Sequence, residues 1–98
     1  MAASTHHQDY QLFVAILRDA RKRADVTQLD LATRIGNTQT FISKVERGER
    51  RLDVVELVEF CEALGLNPLD LLQDYLGRRA ATGKHGKKAG LKGPTNRR

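Results

Sequence analysis

The segment from Thr27 to Gly48 constrains the fold of this chain more than any other stretch of its sequence. It carries two sets of apolar residues at helical spacing, first Leu29, Leu31, Ala32 and Ile35, then Phe41, Ile42 and Val45. Between them, Gly36 can adopt the left-handed backbone that ends a helix, and Thr38 can cap the next helix. Neither helix is long enough to be stable alone, so the segment predicts two short helices that cross through a tight turn, a helix-turn-helix.

Apolar periodicity predicts three further helices around this pair. With the central pair counted as helices 2 and 3, these are helix 1 (about residues 9–23), helix 4 (53–65) and helix 5 (67–76). Each begins at a capping residue, Asp9, Asp53 or Asn67. Helix 4 is apolar over more than half its circumference, which makes it the central buried helix. We therefore expect an all-α domain over residues 9–77, preceded by a disordered N-terminus (1–8) and followed by a disordered basic tail (78–98).

Composition excludes several classes of protein. A chain of 98 residues has room for one small core, and its single cysteine, Cys61, can form no intramolecular disulfide and indicates a reducing compartment. No apolar run reaches membrane-spanning length, so we expect a cytoplasmic protein without membrane contact. The sequence has no recognisable nucleophile–base arrangement, and no cysteine or carboxylate cluster accompanies His6-His7. We therefore expect neither an enzyme nor a metal or other cofactor.

The net charge of +5 is unevenly distributed along the chain. Up to Gly77 there are nine basic against twelve acidic residues, and the other eight basic residues follow Gly77. From Leu52 to Gly77 there are six acids and no base. The predicted domain therefore has a basic pole that attracts phosphates and an acidic pole that repels them. The tail either raises solubility or adds sequence-independent phosphate contacts, and its composition does not distinguish the two.

The central segment resembles the helix-turn-helix of phage-repressor and Cro-type DNA-binding proteins, the XRE family. The matching features are Arg21 seven residues before Gln28, Leu31-Ala32 in the first helix, Gly36 in the turn, Ile42-Ser43 in the second helix, Glu46-Arg47-Gly48 at its end, and the basic loop Glu49-Arg50-Arg51. The resemblance covers roughly residues 10–75 and implies a compact five-helix bundle of the phage-repressor DNA-binding domain type. One departure is Leu52-Asp53, because the family often has a proline just after the basic loop.

A helix-turn-helix places its second helix in the major groove, where residues near the helix start reach the base edges. The base-reading candidates are Thr38, Gln39, Thr40, Ser43 and Lys44. The phosphate-binding candidates are Gln28, Arg34, Arg47, Arg50 and Arg51, and the resemblance implies that Gln28 also braces the first reading residue. A merely solvated polar face is the alternative, but an uncharged centre ringed by basic residues suits a groove better.

Two tertiary contacts are also expected. Arg21 falls beside the apolar face of helix 1, and the resemblance implies that it forms a buried ion pair with Glu46. Helix 5 has two apolar faces, of which Leu69, Leu72 and Leu76 form the one that suffices to pack on the core. Leu71 and Tyr75 lie nearly opposite and are predicted to form a homodimer interface, unless helix 1 or the N-terminal arm covers them within the monomer.

The sequence thus predicts a sequence-specific regulator of transcription, a repressor that occupies an operator in double-stranded DNA. The resemblance implies one alternative within the same fold, an antitoxin that neutralises a toxin protein by contact and regulates its own promoter. A protein-interaction module that has lost DNA binding is a third reading of the same pattern.

Overall fold

The computed structural model describes residues 7–81, which form five α-helices. The helices are α1 (Gln8–Arg23), α2 (Gln28–Ile35), α3 (Gln39–Glu46), α4 (Val54–Leu64) and α5 (Pro68–Ala81). Residues 7–81 contain no strand, and the predicted all-α five-helix bundle is confirmed. No helix in this range has both the length and the apolar character needed to cross a membrane. The disorder expected of the N-terminus and the tail concerns residues 1–6 and 82–98, which lie outside the described residues.

Capping residues set the helix boundaries where the sequence predicts them. Thr27 accepts a hydrogen bond from the Asp30 N–H at 3.0 Å, and Asp53 accepts one from the Glu56 N–H at 2.8 Å. In both cases the third residue bonds back to the cap's own N–H, which completes a capping box. Gly36 ends α2 in the left-handed conformation, with φ of 71° and ψ of 37°. The turn between α2 and α3 is therefore as tight as expected.

The outer ends of the domain differ from the prediction. Helix α1 begins at Gln8, because the His7 side chain caps it by accepting a hydrogen bond from the Asp9 N–H at 3.0 Å. Helix α5 continues through Gly77 to Ala81, so the residues at 78–81 are helical instead of belonging to a disordered tail. Arg78 pairs with Asp74 one turn earlier, and Arg79 lies 3.4 Å from Asp9 of α1. These ion pairs favour the last turn of the helix despite the low helix propensity of glycine.

The core lies around α4. Phe60 and Cys61 of this helix are fully buried, and Phe60 meets the Phe41 ring of α3 edge to face at a centroid distance of 6.1 Å. The two helices of the helix-turn-helix each bury two apolar residues beside them, Leu31 and Ala32 from α2 and Ile42 and Val45 from α3. Burial also raises the pKa of the Cys61 thiol. The core therefore holds both short helices at a fixed angle, and the cysteine behaves as a small apolar side chain.

The predicted orientation of α5 is wrong. Leu71 is only 5% exposed, and the half-buried Tyr75 meets the Phe13 ring of α1 edge to face at a centroid distance of 5.7 Å. The face expected to pack on the core is instead the exposed one, with Leu69 at 67%, Leu72 at 37% and Leu76 at 56%. Because α1 packs along α5, it covers Leu71 and Tyr75 within the monomer. The prediction that these two residues form a dimer interface is therefore incorrect.

Candidate nucleic-acid interface

Helix α3 separates packing residues from polar residues around its circumference. Ile42 and Val45 have no exposed surface, and the Thr38 hydroxyl caps the helix by accepting from the Phe41 N–H at 3.1 Å. Gln39, Thr40, Ser43 and Arg47 line one shallow surface depression on the opposite side. Thr38 and Lys44 are exposed as well. The predicted reading residues thus lie on the outside of a helix whose position is fixed by its buried side.

A buried ion pair joins α1 to the end of α3. Arg21 Nε lies 2.6 Å from Glu46 Oε2, and a second guanidinium nitrogen donates to Oε1 at 3.0 Å. The third nitrogen donates to the Val26 carbonyl at 2.7 Å. Arg21 and Glu46 are only 8% and 4% exposed. The expected pair is therefore present, and its hydrogen bonds explain how a guanidinium can lie beside an apolar face.

Two glutamines extend this ion pair to the first reading residue. Gln28 Nε2 donates to Glu46 Oε1 at 3.0 Å, and Gln39 Nε2 donates to Gln28 Oε1 at 3.4 Å. A carboxylate paired with arginine can only accept hydrogen bonds, so Gln28 must turn its amino group inward and its carbonyl towards Gln39. The brace from Gln28 to Gln39 is therefore in place without DNA. Its connection to Glu46 was not predicted, because no local spacing indicates it.

The arginines beside α3 are held by acids and aromatic rings. Arg50 makes a two-point contact with Glu56, both distances being 2.9 Å, and its guanidinium carbon lies 4.8 Å from the centre of the Phe41 ring. Hydrogen bonding from Arg50 lowers the pKa of Glu56. Arg47 contacts Glu49 in the same two-point manner, at 3.0 and 3.1 Å, and also the Ser43 hydroxyl. Exposed ion pairs of this kind contribute little to stability, so a DNA phosphate could take the place of either carboxylate.

Arg34 occupies a different place from the one expected. Its guanidinium donates to the Ala63 carbonyl at 2.8 Å, near the end of α4. Glu59 and Glu62 line the same surface depression as Arg34. A cation that donates to a carbonyl at a helix end and shares its depression with two carboxylates is a poor candidate for binding phosphate. The geometry therefore does not support the prediction for Arg34.

Tyr10 is a residue near this surface that the sequence reasoning missed. Its hydroxyl donates to the Arg50 carbonyl at 3.1 Å and accepts from the Leu52 N–H at 2.9 Å. The guanidinium carbon of Arg51 lies 4.8 Å from the centre of its ring. Burial is the main reason that the pKa of Tyr10 is raised above 10.0. Leu52 was the available signal, because a residue in place of proline brings an N–H that needs an acceptor.

The described part of the chain offers no site for a metal ion. Nowhere in residues 7–81 do three or more histidine, cysteine, aspartate or glutamate side chains come together in a way that could hold one.

Comparisons with known proteins agree on one family. The helix-turn-helix family model HTH_3 matches residues 17–71, which contain the whole α2–turn–α3 segment. An uncharacterized HTH-type transcriptional regulator of Sinorhizobium fredii (strain NBRC 101917 / NGR234), y4dJ, is 35% identical over 52 residues, or 53% of this chain and 68% of the relative. The residues that the family model matches, 17–71, include the ion pair, the two glutamines and the exposed face of α3.

Solved structures share the fold of this chain. An XRE-family like protein from Pseudomonas syringae pv. tomato str. DC3000 superposes with a TM-score of 0.70 at 42% identity, covering 74% of this chain and 89% of that one. The clp gene regulator ClgR from Corynebacterium glutamicum superposes with a TM-score of 0.68 at 28% identity, covering 81% and 84%. Both similarities extend over most of each molecule compared.

Proposed function

Because this chain belongs to the XRE family of helix-turn-helix transcriptional regulators, we propose that it is a repressor that reads an operator with α3 in the major groove. The observation that carries the proposal is the anchoring of α3. Ile42 and Val45 are fully buried, while Gln39 and Thr40 point outward from the same two turns. A rigid helix that presents hydrogen-bonding side chains without a charge at its centre suits base edges better than bulk water.

The roles of the individual residues follow from their chemistry and position. Gln39 can donate and accept in parallel to adenine, Thr40 can contact a thymine methyl group, and Lys44 can reach guanine or a phosphate. Thr38 and Ser43 add hydroxyl groups, which can hydrogen-bond to base edges. Contacts with phosphates are proposed for Arg47, Arg50, Arg51 and Gln28. Such contacts position the protein on DNA without reading its sequence.

A binding experiment separates these roles. Duplexes selected from a random library by the protein itself supply the operator. Gln39→Ala should weaken operator binding by about 1–3 kcal/mol and leave random DNA unaffected. Arg51→Ala should weaken both and lower the slope of log K against log salt by about one. Equal losses on operator and random DNA for Gln39→Ala would contradict the reading role, and a wild-type protein without any duplex affinity would contradict the function.

We also propose that the protein binds DNA as a two-fold dimer through the exposed leucine strip of α5, formed by Leu69, Leu72 and Leu76. These residues recur every three to four positions and are 37–67% exposed, so they form a continuous apolar stripe. Asp70 and Asp74 line a cleft against α1 with the buried Leu71 and thus lie away from the strip. These two carboxylates would therefore not face each other if two strips packed together, and two α3 helices about one DNA turn apart could read a palindrome.

Sedimentation at rising protein concentration, with and without operator, tests the dimer. Leu72→Glu should keep the protein monomeric and weaken operator binding. Leu29→Glu is the control, because Leu29 is an exposed leucine on α2 (59%, against 37% for Leu72), and this variant should self-associate normally. A wild-type protein that stays monomeric with operator would refute the dimer. Binding of the protein to the product of a neighbouring gene would support the antitoxin role in place of the repressor.

A further inference from the structure

Tyr10 of α1 makes two hydrogen bonds to the backbone of the loop between α3 and α4 (residues 47–53). The Tyr10 hydroxyl donates to the Arg50 carbonyl at 3.1 Å and accepts from the Leu52 N–H at 2.9 Å. The two backbone groups lie two residues apart, and both are about forty positions from Tyr10 in the sequence. One hydroxyl thus fixes the direction of the chain at the residue between them, Arg51.

The same tyrosine also orients a cation. The guanidinium carbon of Arg51 lies 4.8 Å from the centre of the Tyr10 ring, within the range of a cation–π contact. Arg50, on the other side, lies over the Phe41 ring and contacts Glu56. Arg50 and Arg51 therefore contact different aromatic rings, and Tyr10 contacts both the Arg51 side chain and the backbone on either side of Arg51.

The loop has other contacts, since the Arg50 N–H donates to the Lys44 carbonyl at 3.2 Å and the Arg51 carbonyl accepts from the Arg50 guanidinium, but the Leu52 N–H bonds to Tyr10. Leu52 has a free choice of φ where a proline would fix it, and its N–H is partly buried and needs an acceptor. The Tyr10 hydroxyl supplies that acceptor. The fold itself depends far less on this hydroxyl, because α1 is anchored by Val14, Ile16 and Leu17, which are 1–2% exposed.

We propose that Tyr10 is a positioning residue for DNA binding, whose hydroxyl holds the α3–α4 loop in the conformation that presents Arg51 to the phosphate backbone. The proposal rests on the proposed function, since it assigns a partner to the loop. A loop ordered before binding has less conformational freedom to lose when it meets DNA. Tyr10 acts through the loop and need not touch DNA itself.

The test is the Tyr10→Phe variant, which keeps the ring and removes only the hydroxyl. We expect it to weaken binding to operator and to random DNA by the same factor, on the order of threefold to tenfold, because a loop that is no longer held does not bring Arg51 to its phosphate. The salt slope should fall by about one, as for Arg51→Ala, because Arg51 no longer meets its phosphate. Tyr75→Phe is the matched control, because the Tyr75 ring, like that of Tyr10, packs on Phe13 of α1. Loss of the Tyr75 hydroxyl should change neither the affinity nor the salt slope.

Two further measurements separate the possible outcomes. Amide hydrogen exchange of Leu52 without DNA should accelerate in Tyr10→Phe, which checks the contact independently of function. The double variant Tyr10→Phe, Arg51→Ala should bind DNA no more weakly than Arg51→Ala alone. Faster exchange with an unchanged salt slope would overturn the positioning role while leaving the proposed function intact. Additive losses in the double variant would overturn it too, whereas a wild-type protein that binds no duplex would remove the proposed function itself.

Discussion

Replacing Glu46 by alanine should destabilise this domain more than any substitution on its surface. The Glu46 carboxylate accepts two hydrogen bonds from Arg21, at 2.6 and 3.0 Å, and one from Gln28 at 3.0 Å. Arg21 is only 8% exposed in the intact domain, and the Val26 carbonyl is the other acceptor of its guanidinium. The substitution therefore leaves a buried cation without a counter-charge.

The expected loss follows from that geometry. Removing one partner of a buried ion pair costs about 3–5 kcal/mol, mostly the penalty for the stranded charge. A small domain of this size has a total stability of roughly 4–11 kcal/mol. With a urea slope near 1.5 kcal/mol per molar, the midpoint should fall by about 2–3 M, or the domain should be unfolded without urea.

Equilibrium urea unfolding followed by far-ultraviolet circular dichroism measures this loss. Glu49→Ala is the matched control, because Glu49 also makes a two-point contact with an arginine, but both side chains of that pair are about half exposed. Its midpoint should barely change. The double variant Arg21→Met, Glu46→Leu should recover much of the loss, since it strands no charge. If Glu46→Ala lowered the midpoint no more than Glu49→Ala, the reasoning from burial would be refuted.

Three further outcomes can be checked on the same protein. Gly48→Ala should cost about 1–2 kcal/mol for its φ of +77° and somewhat more than Gly36→Ala, because only at Gly48 would the new methyl meet a side chain, that of Gln11. Cys61 should react with a thiol reagent only after unfolding, because burial raises its pKa. Burial likewise raises the pKa of both tyrosines, so their absorbance should titrate above pH 10.0. The stability that they add below that pH should be lost as the pH rises through their pKa values in the folded protein.

The helix-turn-helix could be predicted from the sequence because its determinants are local. Capping at Thr27 and Thr38 and the left-handed Gly36 depend on residues within one turn of one another. The buried pair of Arg21 and Glu46 is a long-range contact, and the resemblance to a known family was needed to predict it.

Contacts between distant elements account for what could not be predicted. Helix α5 has two apolar faces of similar size, and periodicity cannot decide which one α1 will cover, so Leu71 and Tyr75 were assigned to the wrong side. The Tyr10 contact joins residues forty positions apart. Arg34 carries the same charge as the other arginines predicted to bind phosphate. Its position at the end of α4, however, depends on how α2 packs on that helix.

The division of α3 into an inner and an outer face bears on how such a protein can diverge after gene duplication. Thr40 and Lys44 are exposed, so they are free to mutate without disturbing the core, and a duplicated copy could acquire a new target by changes there. Gln39 is less free, since replacing it would leave the Gln28 carbonyl without the donor it has now. Among descendants of this chain, we expect the first reading position to vary more slowly than the others, and to change together with Gln28 when it does.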